Sequence, residues 1–330
     1  MDKLLTISIA AYNVGKYIKA TLNSLILTKH MEQLEVLIVD DGSTDNLKEI
    51  VTSFIKEYPN TFVLCEKENG GYGSTINWSI RHANGRFFKI LDGDDTVDGD
   101  GMVELLDILN TTSADAVVSQ AVRNYPDGRE LKIYPFIDGL LENKIYSIAS
   151  NSDFADVAVW GYTFRTDVIK KHWVDLPLHS FYTDRLFVLH TLLGVETLQY
   201  QKKIIYKYRV GLNEQSTSIQ SIKKHYKEAV KVDLNSIDWV GKSVNQDMPA
   251  YNYINNRLAL NFAYTYCMFL DLPINKSNLK DLKEFVFTVK NEDYNIYKIA
   301  VKQVNRVRIM EKTNYLAYYL WPILKKMRKQ

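Results

Sequence analysis

Three carboxylates, Asp92, Asp94 and Asp95, close an apolar run that begins at Phe87 (Phe-Phe-Lys-Ile-Leu-Asp-Gly-Asp-Asp). Carboxylates crowded this closely repel one another, and burying them without partners costs several kcal/mol. A hard divalent cation, Mn²⁺ or Mg²⁺, accounts for the grouping, because such ions take oxygen ligands and share them with substrate phosphates. The same residues also suit a plain acidic turn, since Gly and Asp are turn formers. Two more polar clusters end apolar runs: Tyr12-Asn13 after residues 4–11, and Asp40-Asp41-Gly42-Ser43-Thr44-Asp45 after residues 35–39. A glycine-rich turn, Asn69-Gly70-Gly71-Tyr72-Gly73, follows residues 62–65.

These clusters need a scaffold that brings them together. Short apolar runs at 4–11, 35–39, 62–65 and 86–91 read as buried strands, alternating with helical patterns at 16–27, 47–58 and 75–82. Ser43 or Thr44 is placed to cap the second of these helices. Such alternation predicts an α/β fold with a mostly parallel sheet, in which ligands bind beyond the carboxyl ends of the strands. All three acidic or aromatic clusters then share one rim.

Further on, a helix is expected at 102–109, a fifth strand at 116–119 and a strand pair within 123–136 around Pro126-Asp127-Gly128. A strand-like run at 157–164 is interrupted by Trp160-Gly161, and Thr183-Asp184 opens an apolar helix running to 193. A last strand is expected at 204–210, then a polar loop at 211–218. Beyond it lie long helical patterns at 224–240, 252–270, 280–290 and 294–310, which places a boundary near 218 between a sheet domain, 1–218, and a helical region, 219–330.

Bulk composition excludes several classes. With 330 residues and 46% hydrophobic content the chain can bury a large core, and a net charge of +2 gives no field for nucleic acid. The two cysteines, Cys65 and Cys267, make no disulfide framework or metal spacing. No signal peptide and no bilayer-length apolar run is present, so a cytoplasmic location is expected, peripheral on the inner face of the membrane if the tail binds lipid. That tail combines Tyr318, Tyr319 and Trp321 with Lys325, Lys326, Arg328 and Lys329, a composition suited to an interfacial helix.

In order and spacing, Tyr12-Asn13, Val39 to Asp45, Asn69-Gly70-Gly71 and Leu91 to Asp95 resemble the family 2 inverting glycosyltransferases of GT-A fold. The resemblance covers residues 4–218. It implies a Rossmann-like GT-A sheet flanked by helices, with Ala10, Tyr12, Asp40 and Asp41 around the nucleotide base and ribose. Asn69 and Gly71 would join that site. The acid cluster is similar to the family's DxD signature, which implies Asp94 as the main metal contact, with Asp92 and Asp95 sharing metal and ribose roles. Asp184 would be the general base that inversion requires. Trp160-Gly161 would wall the acceptor, and Arg209, with Gln215-Ser216-Thr217-Ser218, would close over the diphosphate.

The implied donor is a nucleotide-diphosphate sugar, a UDP-sugar first, and the implied acceptor a saccharide or lipid-linked molecule in bacterial surface polysaccharide or glycoconjugate synthesis. Where the family has Ala-Arg-Asn after the Gly-Gly turn, Thr75-Ile76-Asn77 stands here, which removes an expected nucleotide contact. Two other readings compete: a sugar-phosphate nucleotidyltransferase, which would carry a basic Gly-rich loop after the first strand, and a nucleotide-sugar-binding protein without catalysis.

Overall fold

The computed structural model describes residues 2–27, 29–133, 141–150, 156–211 and 218–327, with side chains described as far as 323. The chain divides into two compact units, Met1–Gly211 and Leu212–Gln330.

In the first unit the apolar runs form strands β1 (Leu5–Ala11), β2 (Leu34–Asp40), β3 (Phe62–Glu66) and β4 (Phe87–Asp92). Helices α1 (Gly15–Ser24), α2 (Leu47–Glu57) and α3 (Tyr72–His82) connect them. β1 and β2 are buried along almost their whole length, as strands covered on both faces are. The four pair in parallel in the order β3-β2-β1-β4. Ala11 stands opposite Asp40 and Ala10 opposite Asp92, so the three polar strand ends lie side by side.

The chain continues through β5 (Thr96–Val97), α4 (Gly99–Thr111), β6 (Ala116–Asn124), β7 (Glu130–Ile133), β8 (Ile145–Ser147), β9 (Tyr162–Arg165), α5 (Thr166–Lys171), α6 (Thr183–Leu192) and β10 (Thr197–Arg209). β9 runs antiparallel between β4 and β6, and β10 runs parallel to β6. At its far end β10 pairs antiparallel with β5, Tyr206 opposite Val97 and Lys207 opposite Thr96. That register carries the end of β10 up to the acid cluster.

Several expectations change. β6 and β10 are longer than the apolar runs because buried polar residues continue them. Ser119 donates to Gln201 Oε1 at 3.2 Å and Gln120 to the Tyr200 hydroxyl at 2.7 Å, which gives partners to several of the groups that break the hydrophobic pattern. Ser43 and Thr44 do not cap α2. Asn46 holds the N-cap position without a side-chain bond, and Asp45 Oδ1 accepts the Leu47 N–H at 3.2 Å. The strand pair around Pro126 forms as β6 and β7, residues 134–136 lying outside the described residues.

The second unit consists, among its described residues, of α7 (Ile219–Ser243), α8 (Tyr251–Asp271), α9 (Lys276–Glu292), α10 (Tyr294–Gln303), α11 (Asn305–Lys312) and α12 (Leu316–Met327). The single helix expected at 294–310 is broken at Val304, which is extended (φ −109°, ψ 108°). α8 is the buried centre: Phe262 packs on Phe285 at 5.2 Å and Phe269 on Tyr226 at 5.2 Å. Among the described residues no helix is long and apolar enough to cross a membrane.

Candidate active site

The first two strand ends are laced together. The Asn13 N–H donates to Ser43 Oγ at 3.0 Å, and the Thr44 N–H returns to Asn13 Oδ1 at 2.9 Å. Asn13 takes a left-handed conformation (φ 53°), which Asn tolerates better than most residues. Asp45 Oδ2 accepts the Gly15 N–H at 2.7 Å, joining the second turn to the start of α1. Asp40 is buried and accepts the Ser43 N–H at 2.8 Å. Beside these locked turns Tyr12 is 54% exposed, a free aromatic face at the rim, and Ala10 is partly exposed.

Asp41 does more than the sequence suggested. Its Oδ1 accepts from Lys67 Nζ at 2.6 Å and the Gly70 N–H at 2.9 Å, while Oδ2 accepts the Gly71 N–H at 2.8 Å. Asn69 Nδ2 donates to the Asp41 carbonyl at 2.9 Å. Asp41 therefore holds the glycine-rich turn. Gly71 is left-handed (φ 82°), and a Cβ there would lie 3.1 Å from the backbone of His179. This close approach seats the loop that leads to α6. Asn77 clasps the same loop, donating to the Leu176 carbonyl and accepting the Leu176 N–H, both at 2.9 Å. The loop then passes through left-handed His179 and Tyr182 before Asp184 enters the first turn of α6. The N-cap position belongs to Tyr182, so capping does not explain Asp184.

At the third strand end, Asp92 and Asp94 are partly exposed and Asp95 is fully buried. Thr21 Oγ1 clamps the turn from below, donating to the carbonyls of Gly93 and Asp95 at 3.0 and 2.7 Å. The Tyr72 hydroxyl donates to Asp92 at 2.8 Å and the Tyr206 hydroxyl to Asp95 at 2.6 Å. The Arg209 N–H takes the other Asp95 oxygen at 2.6 Å, and Arg209 Nε donates to the Asp94 carbonyl at 2.7 Å. The Arg209 guanidinium also lies 5.1 Å from the Tyr17 ring centre.

Charge here is not balanced. Burial, then the neighbouring charge of Asp94, pushes the Asp92 carboxyl up to about 7, and Asp184 pushes the same way. Burial and the charges of Asp92 and Asp94 push Asp95 up to about 8. Burial also raises Asp94. Burial and the adjacent carboxylates hold Tyr72 and Tyr206 well above the usual phenol range, so both remain donors. The charge of Asp184, in the first turn of α6, acts on both Asp92 and Tyr72.

Trp160 stands against the Tyr206 ring at 5.8 Å, and Gly161 is buried next to it. Lys89, wholly buried on β4, donates to the Trp160 carbonyl at 2.5 Å and the Tyr162 carbonyl at 3.3 Å. Burial lowers Lys89 to about 7. Ala10, Tyr12, Asp40, Asp41, Asn69, Gly71, Asp92, Asp94, Asp95, Trp160, Gly161, Asp184 and Arg209 thus all belong to the first unit. Residues 215–217 of the expected closing loop lie outside the described residues. The sequence reading missed Tyr72, Tyr206, Thr21, Lys67 and Lys89 as parts of the site. Only Tyr72, inside the glycine-rich turn, carried a local signal.

Among the described residues, no group of three or more His, Cys, Asp or Glu side chains is arranged to hold a metal ion. The oxygens of Asp95 are already engaged by the protein, which leaves Asp92 and Asp94 facing the rim.

Comparison with known proteins settles the class. The family model described as glycosyl transferase family 2 matches residues 6–173, about half of the chain. The chain belongs to glycosyl transferase family 2. Uncharacterized glycosyltransferase MG025 of Mycoplasma genitalium is 31% identical over 212 residues, 62% of this chain and 60% of that protein. Minor teichoic acid biosynthesis protein GgaB of Bacillus subtilis is 36% identical over 87 residues, 26% of this chain and 10% of that protein. The chain thus spans about three fifths of the first and a tenth of the second.

Among solved structures, S. aureus TarS 1-349 in complex with UDP-GlcNAc superposes with a TM-score of 0.68 at 16% identity, over 96% of this chain and 90% of that one. Mannosyltransferase PcManGT of Pyrobaculum calidifontis in complex with GDP-Man and Mn²⁺ gives 0.53 at 14% identity, over 100% and 88%. The family and these neighbours establish the GT-A fold.

Proposed function

We propose that this family 2 protein is an inverting glycosyltransferase that moves a sugar from a nucleotide-diphosphate sugar to an acceptor hydroxyl. One observation carries the reading: four loops distant in sequence meet at one rim, around carboxylates that the protein leaves short of positive charge. Tyr12, with Ala10 and Asp40, receives the base and ribose, and the held turn at Asn69 and Gly71 borders them. Arg209, fixed by the Asp94 carbonyl and the Tyr17 ring, presents a guanidinium for the diphosphate. The bound TarS ligand favours a UDP-sugar as the first donor to test.

Asp92 and Asp94 would hold Mn²⁺ or Mg²⁺, with Asp95 fixing the turn behind them. Such ions bind through one or two carboxylates plus substrate phosphate, so a cage of three protein ligands is not needed. When bound, the ion offsets charge that develops on the departing nucleotide. Mn²⁺ in the PcManGT complex supports this choice.

Asp184 takes the proton from the acceptor hydroxyl as that oxygen attacks the sugar carbon opposite the leaving diphosphate. Tyr72, bonded to Asp92 and raised by Asp184, ties the base to the donor side of the site. Trp160 and Gly161 wall the acceptor. The teichoic acid role in the name of GgaB supports a bacterial surface polymer as the setting, with a saccharide or lipid-linked acceptor.

The test is a thermal-shift panel of UDP-GlcNAc, UDP-glucose and GDP-mannose, each with Mn²⁺ and with chelator. Saturating donor at about 100 times its Kd should stabilise the fold by about 2.7 kcal/mol. The shift should require Mn²⁺ and vanish in Asp94→Ala. Equal shifts in chelator would remove the metal role, and no shift with any nucleotide sugar would remove the donor site.

A further inference from the structure

Helix α12 is apolar on two sides. Tyr318 and Trp321 are buried at 0% and 5% exposure, which anchors one face within the helical unit. Leu316, Tyr319, Leu320 and Ile323 follow the spacing i, i+3, i+4, i+7 on another face and are 50–73% exposed. Beside this stripe α9 presents Lys276, Lys280, Lys283 and Phe287, which line one open groove together with Tyr319. Phe287 is itself 66% exposed. The single acid lining the groove, Glu284, is already paired with Lys280 at 3.5 Å. Lys283 stands over the Tyr315 ring at 5.0 Å, its charge kept at the surface.

We infer that this α9–α12 face docks on an anionic lipid surface. An apolar stripe bordered by lysines, with tyrosine between them, is the pattern of a helix that lies in the headgroup region. Charge selects this occupant over a second copy of the chain. A two-fold contact sets the same patch against itself, so a groove lined by Lys276, Lys280 and Lys283 and one acid would bring an excess of like charge together. Lipid phosphates match them instead. The sequence beyond Ile323 adds Lys325, Lys326, Arg328 and Lys329, all of the same sign. The inference does not depend on the donor, the metal or the catalytic base.

Co-sedimentation of the full chain tests it, with vesicles of phosphatidylcholine alone and of equal parts phosphatidylcholine and phosphatidylglycerol. The protein should pellet with the anionic vesicles and stay in the supernatant with the neutral ones. Reversing Lys276, Lys280 and Lys283 together to Glu should weaken partitioning by at least on the order of a hundredfold, at about a kcal/mol per basic residue near the surface. Leu316→Ser with Leu320→Ser should weaken it while leaving the helical circular dichroism unchanged, because both side chains are exposed.

Three outcomes would overturn the inference. One is no binding to anionic vesicles, and another is unaltered binding in the lysine variant. The third is a dimer in lipid-free buffer that both variants dissociate, which would assign the face to a second copy.

Discussion

Each unit contains a largely buried carboxylate centre bonded by tyrosine hydroxyls, and the two end in opposite electrical states. In the helical unit Glu311 accepts from Tyr297 at 2.6 Å, Lys290 at 3.1 Å, Tyr266 at 3.3 Å and Tyr315. Burial works against its charge, yet the bonds from Tyr297, Tyr315 and Lys290 hold it below the usual carboxylate range. At the rim, three carboxylates share two tyrosine hydroxyls, the Arg209 backbone N–H and the charge of its guanidinium, and they are still pushed up. One acid with four donors is a structural tie. Three acids with one arginine beside them make a place where a further cation and a phosphate would be welcome.

The largest effect that separates the two centres is catalytic. Asp184→Asn should lower sugar transfer by roughly 10²–10⁴-fold, with the Mn²⁺-dependent donor shift kept. Transfer within a few fold of wild type would place the base elsewhere. Glu311→Gln should do the reverse, leaving donor binding intact and costing roughly 1–2 kcal/mol of stability, because Lys290 and three hydroxyls are left with one neutral amide oxygen in place of a charged carboxylate. Chemical denaturation measures this, and a loss below about 0.5 kcal/mol would end the view of Glu311 as a tie.

The pH dependence should also differ in sign. In chelator, Asp92 near 7 and Asp95 near 8 hold protons in the folded protein that they lose near 3.9 when unfolded. Their contribution therefore falls as pH rises from about 4 towards 8, at no more than about 1.4 kcal/mol per unit for each proton. Asp92→Asn should flatten that limb. Glu311, depressed in the fold, contributes stability that is present above its unfolded value near 4.3 and is lost as pH falls through its folded value. Glu311→Gln should flatten only the acid limb. Slopes unmoved by either change would refute the contrast.

Lys89 offers the smallest and most diagnostic case, a buried cation whose described partners are carbonyls and the Tyr206 ring. Because it titrates near 7 in the fold and near 10.4 unfolded, it costs stability increasingly as pH falls between those values. Lys89→Met should gain on wild type between pH 9 and pH 6, by about 1.4 kcal/mol per unit at most. A constant difference would show that Lys89 does not titrate in that window.

Much of the site was legible because its residues follow strand ends. Tyr12, Asp40 and Asp92 each terminate a continuous apolar run, and a parallel sheet must bring such ends to one edge. Asp184 entered the candidate site through resemblance alone, since nothing local in the sequence distinguishes it from a capping acid. Lys89 was not legible: inside Phe-Phe-Lys-Ile-Leu it reads as a solvated interruption of a strand. Tyr206 was equally hidden, because its role depends on pairing with residues more than a hundred positions earlier. Asp41 shows the converse, an acid whose bonds to Lys67, Gly70 and Gly71, which hold the glycine-rich turn, were not legible beside its expected ligand role.

What the sequence determined by itself is the alternation of strands and helices and the chemistry of each turn, because periodicity and turn propensity are local properties. The antiparallel insertion of β9, the pairing of β10 with β5 and the clasp of Asn77 on Leu176 were decided only by the tertiary structure. These are contacts between distant segments, and no local pattern encodes which buried polar group will find which partner. Through them Tyr206 and Arg209 reach the acid cluster, whose crowding, relieved by protons or by a bound cation, is what the proposed chemistry depends on.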